Sequence, residues 1–503
     1  MSSISVILKF SKVSGIGLAP YRYQSQLYGS IIEDMSDVSD TFDLIVLGGG
    51  PAGTSAAVSA GLLGKRVALV EKARDLGGAG INTGTLPSKT LRETALVLSG
   101  YRSRRLFGVD LALQRAATVG DFMYHSNHVS EAERNRTSAR LKMRHVVLFT
   151  GHANFVDPHT IRFVSADDGE TLIRGEKILI ATGSSPLRPP EFCFEDDRVH
   201  DSDEILHLAA MPKKLVVIGG GVIGSEYAGT FAALGVEVHL VDGRDVLMPF
   251  LDAEISSALA QAMAEHGVQF HWKERVIGCD ASHSENIVLT LSSGRTLTCD
   301  GVFVCAGRQS NTTDLNLSAA GIAPGKRGLV PVNSHYQSEV QHIYAAGDVV
   351  GPPALAATGI EQARVAVFHA FDSLFKSDLA TLLPTGIYTI PEASMVGETE
   401  ASLRTKGIDF IAGRARYADI PRGEIIGDQT GFLKLLFRRE DMRLVGVHVI
   451  GEQATELVHI GLVAMLMDAG ADLFNRACFN YPTLGDLYKY AAYDAILQRA
   501  KNS

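Results

Sequence analysis

The sequence predicts an α/β fold built around two copies of one β-turn-α-β unit. Three observations predict it. A glycine-rich turn of the form G-x-G-x-x-G occurs twice, at Gly48-Gly49-Gly50-Pro51-Ala52-Gly53 and Gly219-Gly220-Gly221-Val222-Ile223-Gly224, 171 residues apart. Each turn follows a short apolar strand, Phe42 to Leu47 and Lys214 to Ile218, and opens an alanine- and glycine-rich helical stretch. Each second strand, Arg66 to Val70 and Val236 to Val241, ends in an acid, Glu71 or Asp242, 23 residues after the first glycine of its turn. One such turn is a weak signal. Two in full strand-helix-strand context with an acid at the same offset are a strong one.

Each part of the unit has a mechanical reason. Gly48 and Gly219 make the tight turn, Gly50 and Gly221 admit a pyrophosphate to the backbone, and Gly53 and Gly224 let helix and strand pack closely. The helix N-terminus presents free N–H groups to phosphate. Glu71 and Asp242 suit a ribose hydroxyl. Two such sites predict two dinucleotides. A flavin in one and a nicotinamide in the other makes a redox relay, since one takes the hydride that the other gives.

Composition sets the outer bounds. The chain has 503 residues, enough for about three domains. Apolar residues at 46% and charged residues at 20% describe a globular chain and exclude a largely disordered one. A net charge of −9 argues against nucleic acid as a partner. The five cysteines form no C-x-x-C pair and point to a reducing, cytoplasmic setting. No apolar run reaches membrane-spanning length, so no membrane partner is expected. Residues 1–40 read as a leader outside the fold, disordered or upstream of a true start at Met35. Glu131 to Arg144 reads as a solvated helix face, and His459 as packed at a helix interface. Cys299 and Cys305 lack metal-ligand spacing, and no metal site is expected.

Longer runs resemble the pyridine nucleotide–disulfide oxidoreductase family. After Glu71 the chain reads Lys72-Ala73-Arg74-Asp75-Leu76-Gly77-Gly78-Ala79-Gly80, then Ile81 to Lys89, similar to the segment following that family's first dinucleotide turn. Ile180-Ala181-Thr182-Gly183-Ser184 and Cys305-Ala306-Gly307-Arg308 resemble its two passages between flavin and nicotinamide domains. Ile343-Tyr344-Ala345-Ala346-Gly347-Asp348 resembles its second flavin motif. The resemblance implies two Rossmann-like dinucleotide-binding domains, FAD in the first and NAD(P) in the second, plus a C-terminal α+β dimerisation domain. The implied boundaries are 41–185 and 307–378 for the FAD domain, 186–306 for the NAD(P) domain and 379–503 for dimerisation. Implied flavin contacts are Gly48, Gly50, Gly53, Glu71, the run Lys72 to Gly80, Ala153, Thr182, Gly183, Gly307, Gly347 and Asp348. Those to NAD(P) are Gly219, Gly221, Ile223, Gly224, Asp242 and Arg244. Asp242 suits the diol of NAD, and Arg244 the 2′-phosphate of NADP.

Departures from the family narrow the function. The positions of its redox cysteines hold Gly80 and Thr85, neither of which can carry a thiolate. The position of its catalytic histidine holds Tyr481, that of the adjoining glutamate Asp486, and no histidine follows His459. Asn82 to Glu93, Pro384 to Glu392 and Phe479 to Thr483 resemble the disulfide-free branch, the soluble Si-specific NAD(P) transhydrogenases. That branch often keeps the first cysteine, but its reaction needs no thiol. The resemblance implies reversible hydride transfer from NADPH to NAD⁺, ping-pong through flavin N5. It also implies Lys89 near N5, paired with Glu226, Thr85 facing the flavin, and a homodimer or larger homo-oligomer. The other reading is a disulfide-free NAD(P)H diaphorase or quinone reductase.

Overall fold

A computed structural model describes residues 41–101, 118–165 and 169–501. The leader expected over 1–40 lies outside the described residues.

The first unit folds as its pattern predicts. Strand Thr41–Leu47 lies parallel to Val67–Glu71 on one side and Gly169–Ile180 on the other. Val147–Thr150 extends the sheet at one edge, and Ile343–Ala345 pairs with Gly169–Ile180, both in parallel. A hairpin, His152–Asp157 with Thr160–Ser165, continues it in antiparallel fashion. The central strands are apolar throughout because helices cover both faces of a parallel sheet. Helix Pro51–Leu62 packs one face through Ala56, Ala57 and Ala60, all fully buried.

The second unit repeats this geometry. Lys214–Ile218 pairs in parallel with Glu237–Asp242 and Gly301–Val304, and Val268–Trp272 lies beyond Glu237–Asp242. Helix Val222–Ala233 follows its turn. A side antiparallel sheet holds Val276–Asp280, Ile287–Leu291 and Thr296–Cys299. The first glycines sit at φ +105° (Gly48) and +100° (Gly219), a region closed to most side chains. A Cβ on Gly53 would lie 1.8 Å from Gly48 O, and one on Gly224 1.9 Å from Gly219 O. The third glycine is therefore obligatory in both copies.

The second strands end on their acids as expected and start one residue later than expected. They run Val67–Glu71 and Glu237–Asp242, so each acid is inside its ladder, opposite Thr150 and Trp272 respectively. Sheet pairing aims the carboxylate rather than leaving it in a loop.

The C-terminal third is an antiparallel sheet in the order Thr385–Ile387, Ala393–Gly397, Leu444–Ile450, Phe432–Arg438, Phe410–Arg416. Helices Ala454–Leu466 and Asp486–Lys501 cover it. His459 is exposed, not packed as expected. It lies on the same helix as Val463 and Leu466, 59% and 57% exposed. The helix is apolar nearly all round, and the subunit's own core covers one face only. The charged run 131–144 lies mostly on the exposed surface of helix Val119–Met143, as expected.

A charge cluster centred on buried Lys434 and Asp252 ties the second unit to this C-terminal sheet. Lys434, its side chain 2% exposed, reaches Asp252 at 2.7 Å, Glu400 at 2.7 Å and Glu254 at 3.0 Å. Arg414 closes the cluster on Glu254 at 2.8 Å. Burial works against the lysine's charge, yet its three carboxylates raise its pKa above the ordinary value. Burial likewise opposes the charges of Asp252 and Glu254, but their cationic partners hold both below the usual carboxylate range. Depressed carboxylates stabilise the fold above their unfolded pKa, about 4, and that contribution goes as pH falls through the folded values. Lys434→Met leaves buried Asp252 without a cation, while Arg414 still meets Glu254 and Glu400, and should cost about 3 kcal/mol. Thermal unfolding at neutral pH checks this, and an unchanged Tm contradicts it.

Candidate active site

The two glycine-rich turns are bare cradles. Gly50 caps helix Pro51–Leu62 and Gly221 caps Val222–Ala233, neither with a side-chain hydrogen bond to the helix. A Cβ on Gly221 would meet nothing within 4 Å, and one on Gly50 only Gly78 Cα at 3.9 Å. First-turn N–H groups of a helix lack intrahelical partners and favour an anion. These features fit pyrophosphate at both turns.

Both acids brace their turns. Glu71 accepts the Gly49 N–H at 2.6 Å on one oxygen and the Ala73 N–H at 2.8 Å on the other. Asp242 accepts the Gly220 N–H at 2.6 Å and the Arg244 N–H at 2.8 Å. The copies then diverge. The Arg244 guanidinium folds back onto Asp242, at 2.9 Å and 2.7 Å to its two oxygens. Burial opposes the Asp242 charge, but Arg244 and the two N–H groups outweigh it and hold its pKa below the ordinary value.

Lys72, Ala73, Arg74 and Asp75 form an exposed bend after Glu71. Leu76 turns in against Gly49, and the Gly77 N–H donates to Gly49 O at 2.9 Å. Gly77 and Gly78 take φ +112° and +50°, and the short helix Gly78–Ile81, containing Ala79 and Gly80, follows. Gly80 has a packing reason: a Cβ there would lie 2.5 Å from Pro51 Cγ. The first position of the family's cysteine pair is therefore filled by the ring that starts the first helix.

The other predicted positions lie on elements of both units. Ala153 sits on strand His152–Asp157, two residues past Gly151, whose N–H donates to Glu71 O at 2.8 Å. Thr182 and Gly183 follow strand Gly169–Ile180, and Thr182 Oγ1 is buried without a protein partner. Such a hydroxyl asks for a polar ligand atom. Asp348 accepts from Ser184 Oγ at 2.6 Å, and Arg308 donates to the same Ser184 oxygen at 2.8 Å. Gly347 donates its N–H to Gln362 Oε1 at 2.9 Å, and Gly307 takes φ +113°. Ile223 lies in the first turn of helix Val222–Ala233.

Lys89 and Glu226 meet. Lys89 Nζ lies 2.7 Å from Glu226 Oε2, their side chains 27% and 6% exposed. The other Glu226 oxygen accepts the Tyr388 N–H at 2.9 Å, and Lys89 Nζ lies 4.9 Å from the centre of the Tyr388 ring. The lysine is carried by helix Thr85–Leu98, whose first residue, Thr85, is exposed. Buried Arg92 fixes that helix: it donates to Thr389 O at 3.0 Å and pairs with Glu392 at 3.2 Å. The first unit, the second unit and the run 388–392 thus converge on one ammonium group.

Sequence reasoning assigned no role to Tyr388, Ser184 or Asp203. The first two lie inside runs that pointed to the family but carry no signal of their own. Burial pushes the Asp203 carboxyl up in pKa against a hydrogen bond from Thr83, and one of its oxygens is buried without a partner. All five cysteines are free thiols. Among the described residues no cluster of three or more His, Cys, Asp or Glu is set to hold a metal, and no helix is long and apolar enough to cross a membrane.

The sequence profile described as pyridine nucleotide-disulphide oxidoreductase matches residues 42–370, and that of the family's dimerisation domain matches 383–492. The chain belongs to the pyridine nucleotide-disulphide oxidoreductase family. It is therefore an oxidoreductase with FAD and NAD(P) as its coenzymes, and its C-terminal sheet belongs to a dimerisation domain. It is 44% identical over 456 residues to the soluble pyridine nucleotide transhydrogenase of Mycobacterium tuberculosis (strain ATCC 25177 / H37Ra), covering 90% of this chain and 97% of the relative. The relative of the same description from Colwellia psychrerythraea is 38% identical over 458 residues, covering 90% and 98%. Among solved structures, LpdA from Mycobacterium tuberculosis superimposes with a TM-score of 0.83 at 25% identity, covering 90% and 98%. The HOCl-induced flavoprotein disulfide reductase RclA from Escherichia coli does so with 0.81 at 26% identity, covering 90% and 99%.

Gly80→Ala should destabilise the protein by about 1–3 kcal/mol through overpacking against Pro51. Thermal unfolding reads this, and an unchanged Tm means the ring yields freely.

Proposed function

We propose that this protein transfers hydride reversibly from NADPH to NAD⁺, the two coenzymes using one site in turn, with no thiol taking part. The observation that carries the reading is the Lys89–Glu226 ion pair, which sets the two dinucleotide units around one cation, beside positions 80 and 85 that hold no sulfur. Similarity to proteins described as soluble pyridine nucleotide transhydrogenases supports it.

FAD, when bound, supplies the two-electron acceptor and donor that links the coenzymes through flavin N5. The residues that would hold it are Gly48, Gly50, Gly53, Glu71, the run Lys72 to Gly80, Ala153, Thr182, Gly183, Gly307, Gly347 and Asp348. Gly219, Gly221, Ile223, Gly224, Asp242 and Arg244 would hold the nicotinamide coenzyme. Lys89 supplies fixed positive charge, and Glu226, gripped by the Tyr388 N–H, keeps it aimed. Thr85 lines the same region. NAD and NADP couples lie close in potential, so the protein's work is to position and to exclude water rather than to drive the reaction. No strong general acid or base is required, which accommodates Tyr481 and Asp486 where the family's disulfide reductases carry a histidine and a glutamate.

The same proposal divides the chain as 41–185 with 307–378 for FAD, 186–306 for NAD(P) and 379–503 for pairing of subunits. It also covers a homodimer or larger homo-oligomer in the cytoplasm, with no nucleic-acid partner. In steady state with saturating NADPH, thionicotinamide-NAD⁺ should be reduced faster than any simple quinone. Faster quinone turnover rejects the reading in favour of a quinone reductase.

A further inference from the structure

Two strand ends, not one, build the edge of the second dinucleotide site where coenzymes are told apart. Asp242 and Trp272 stand opposite in the parallel ladder. Beyond them the chain stays paired: the Glu274 N–H donates to Asp242 O at 3.2 Å and the Lys273 N–H to Arg244 O at 3.0 Å. Residues 242–245 therefore lie against 272–275.

The charges there close into pairs with one exception. Asp242 is held by Arg244 at 2.7 Å, Asp245 by Lys273 at 2.9 Å and Glu274 by Arg295 at 3.1 Å. Glu274 also accepts from Ser292 and Ser293. Arg275 is exposed, and its side chain has no acid partner among the described residues. It leans over Gly243, where a Cβ would lie 3.1 Å from Arg275 Nε and 3.8 Å from Cζ. Glycine at 243 leaves that guanidinium beside the Asp242–Arg244 pair.

We propose that Arg275 is the second arm of a 2′-phosphate clamp and a specificity-determining residue of this site. The inference rests on reading the second unit as the place where NADP(H) binds. Arg244 alone is a poor discriminator, because Asp242 already neutralises it and the pair offers a dianion no net charge. Arg275 supplies the surplus cation. It is solvated when the ribose carries a diol, so NAD binding loses nothing by its presence. It forms charge-assisted hydrogen bonds when the ribose carries a phosphate. One pocket thereby serves both coenzymes, with Asp242 taking the diol and Arg244 and Arg275 taking the phosphate.

The test is calorimetric binding of adenosine 2′,5′-bisphosphate and of 5′-AMP to the purified protein. Arg275→Ala should weaken the bisphosphate about tenfold and leave 5′-AMP unchanged. Arg275→Lys should restore part of the loss, and added salt should narrow the wild-type preference more than the variant's. Equal weakening of both probes, or of neither, overturns the clamp. A selective loss in a protein that transfers no hydride to NAD⁺ leaves the clamp standing and rejects the transhydrogenase reading. Intact transfer with unchanged bisphosphate affinity rejects the clamp alone.

Discussion

A single ion pair between residues 137 apart in the chain, Lys89 and Glu226, organises the site. It joins a helix that follows the first dinucleotide turn to a helix that opens the second. Such a pair costs desolvation and is weak evidence for stability on its own. Here its geometry is fixed from outside. Glu226 is pinned by a backbone N–H of the C-terminal third, and the lysine's helix is bolted to the same run by Arg92. Anything that moves one unit relative to the other moves this cation, so the wider architecture serves to hold the two turns in one relation.

The two turns solve the same problem with different electrostatics. Both use an acid at the end of the second strand to grip the N–H of the turn's middle glycine, at 2.6 Å in each copy. Glu71 completes itself with a second backbone N–H and pairs with no side-chain cation among the described residues. Asp242 takes a guanidinium as well. An acid braced by backbone suits a ribose diol. A neutralised acid bordered by a spare arginine suits a ribose that arrives with or without phosphate. Sequence duplication therefore need not mean duplicated specificity.

The periodic features of the fold were legible in the sequence. Turn glycines, apolar strands and the 23-residue offset to the acid are local consequences of backbone sterics, and the structure reproduces them in both copies. Each acid closes its strand as the sequence indicates, and the neighbouring strands Val147–Thr150 and Val268–Trp272 draw it into the ladder. The site was legible in part. The motifs named Lys89 and Glu226, and the fold brings them to 2.7 Å. Tyr388, Ser184 and the closure of Arg244 onto Asp242 depend on side-chain directions across distant segments, for which no spacing rule exists. His459 differed because a helix apolar on nearly every face does not reveal which face its own subunit covers. Gly80 gained a reason only when Pro51 was seen against it.

In the proposed reaction two coenzymes exchange hydride through a flavin held between these units, without sulfur. The most direct measurement is the anaerobic visible spectrum of the purified protein during sequential addition of NADPH and then, after removal of free nucleotide, NAD⁺. The protein should be yellow, bleach with NADPH and regain its full colour with NAD⁺, with thiols blocked or free. A protein that bleaches but recovers colour only on addition of a disulfide or a quinone would contradict it.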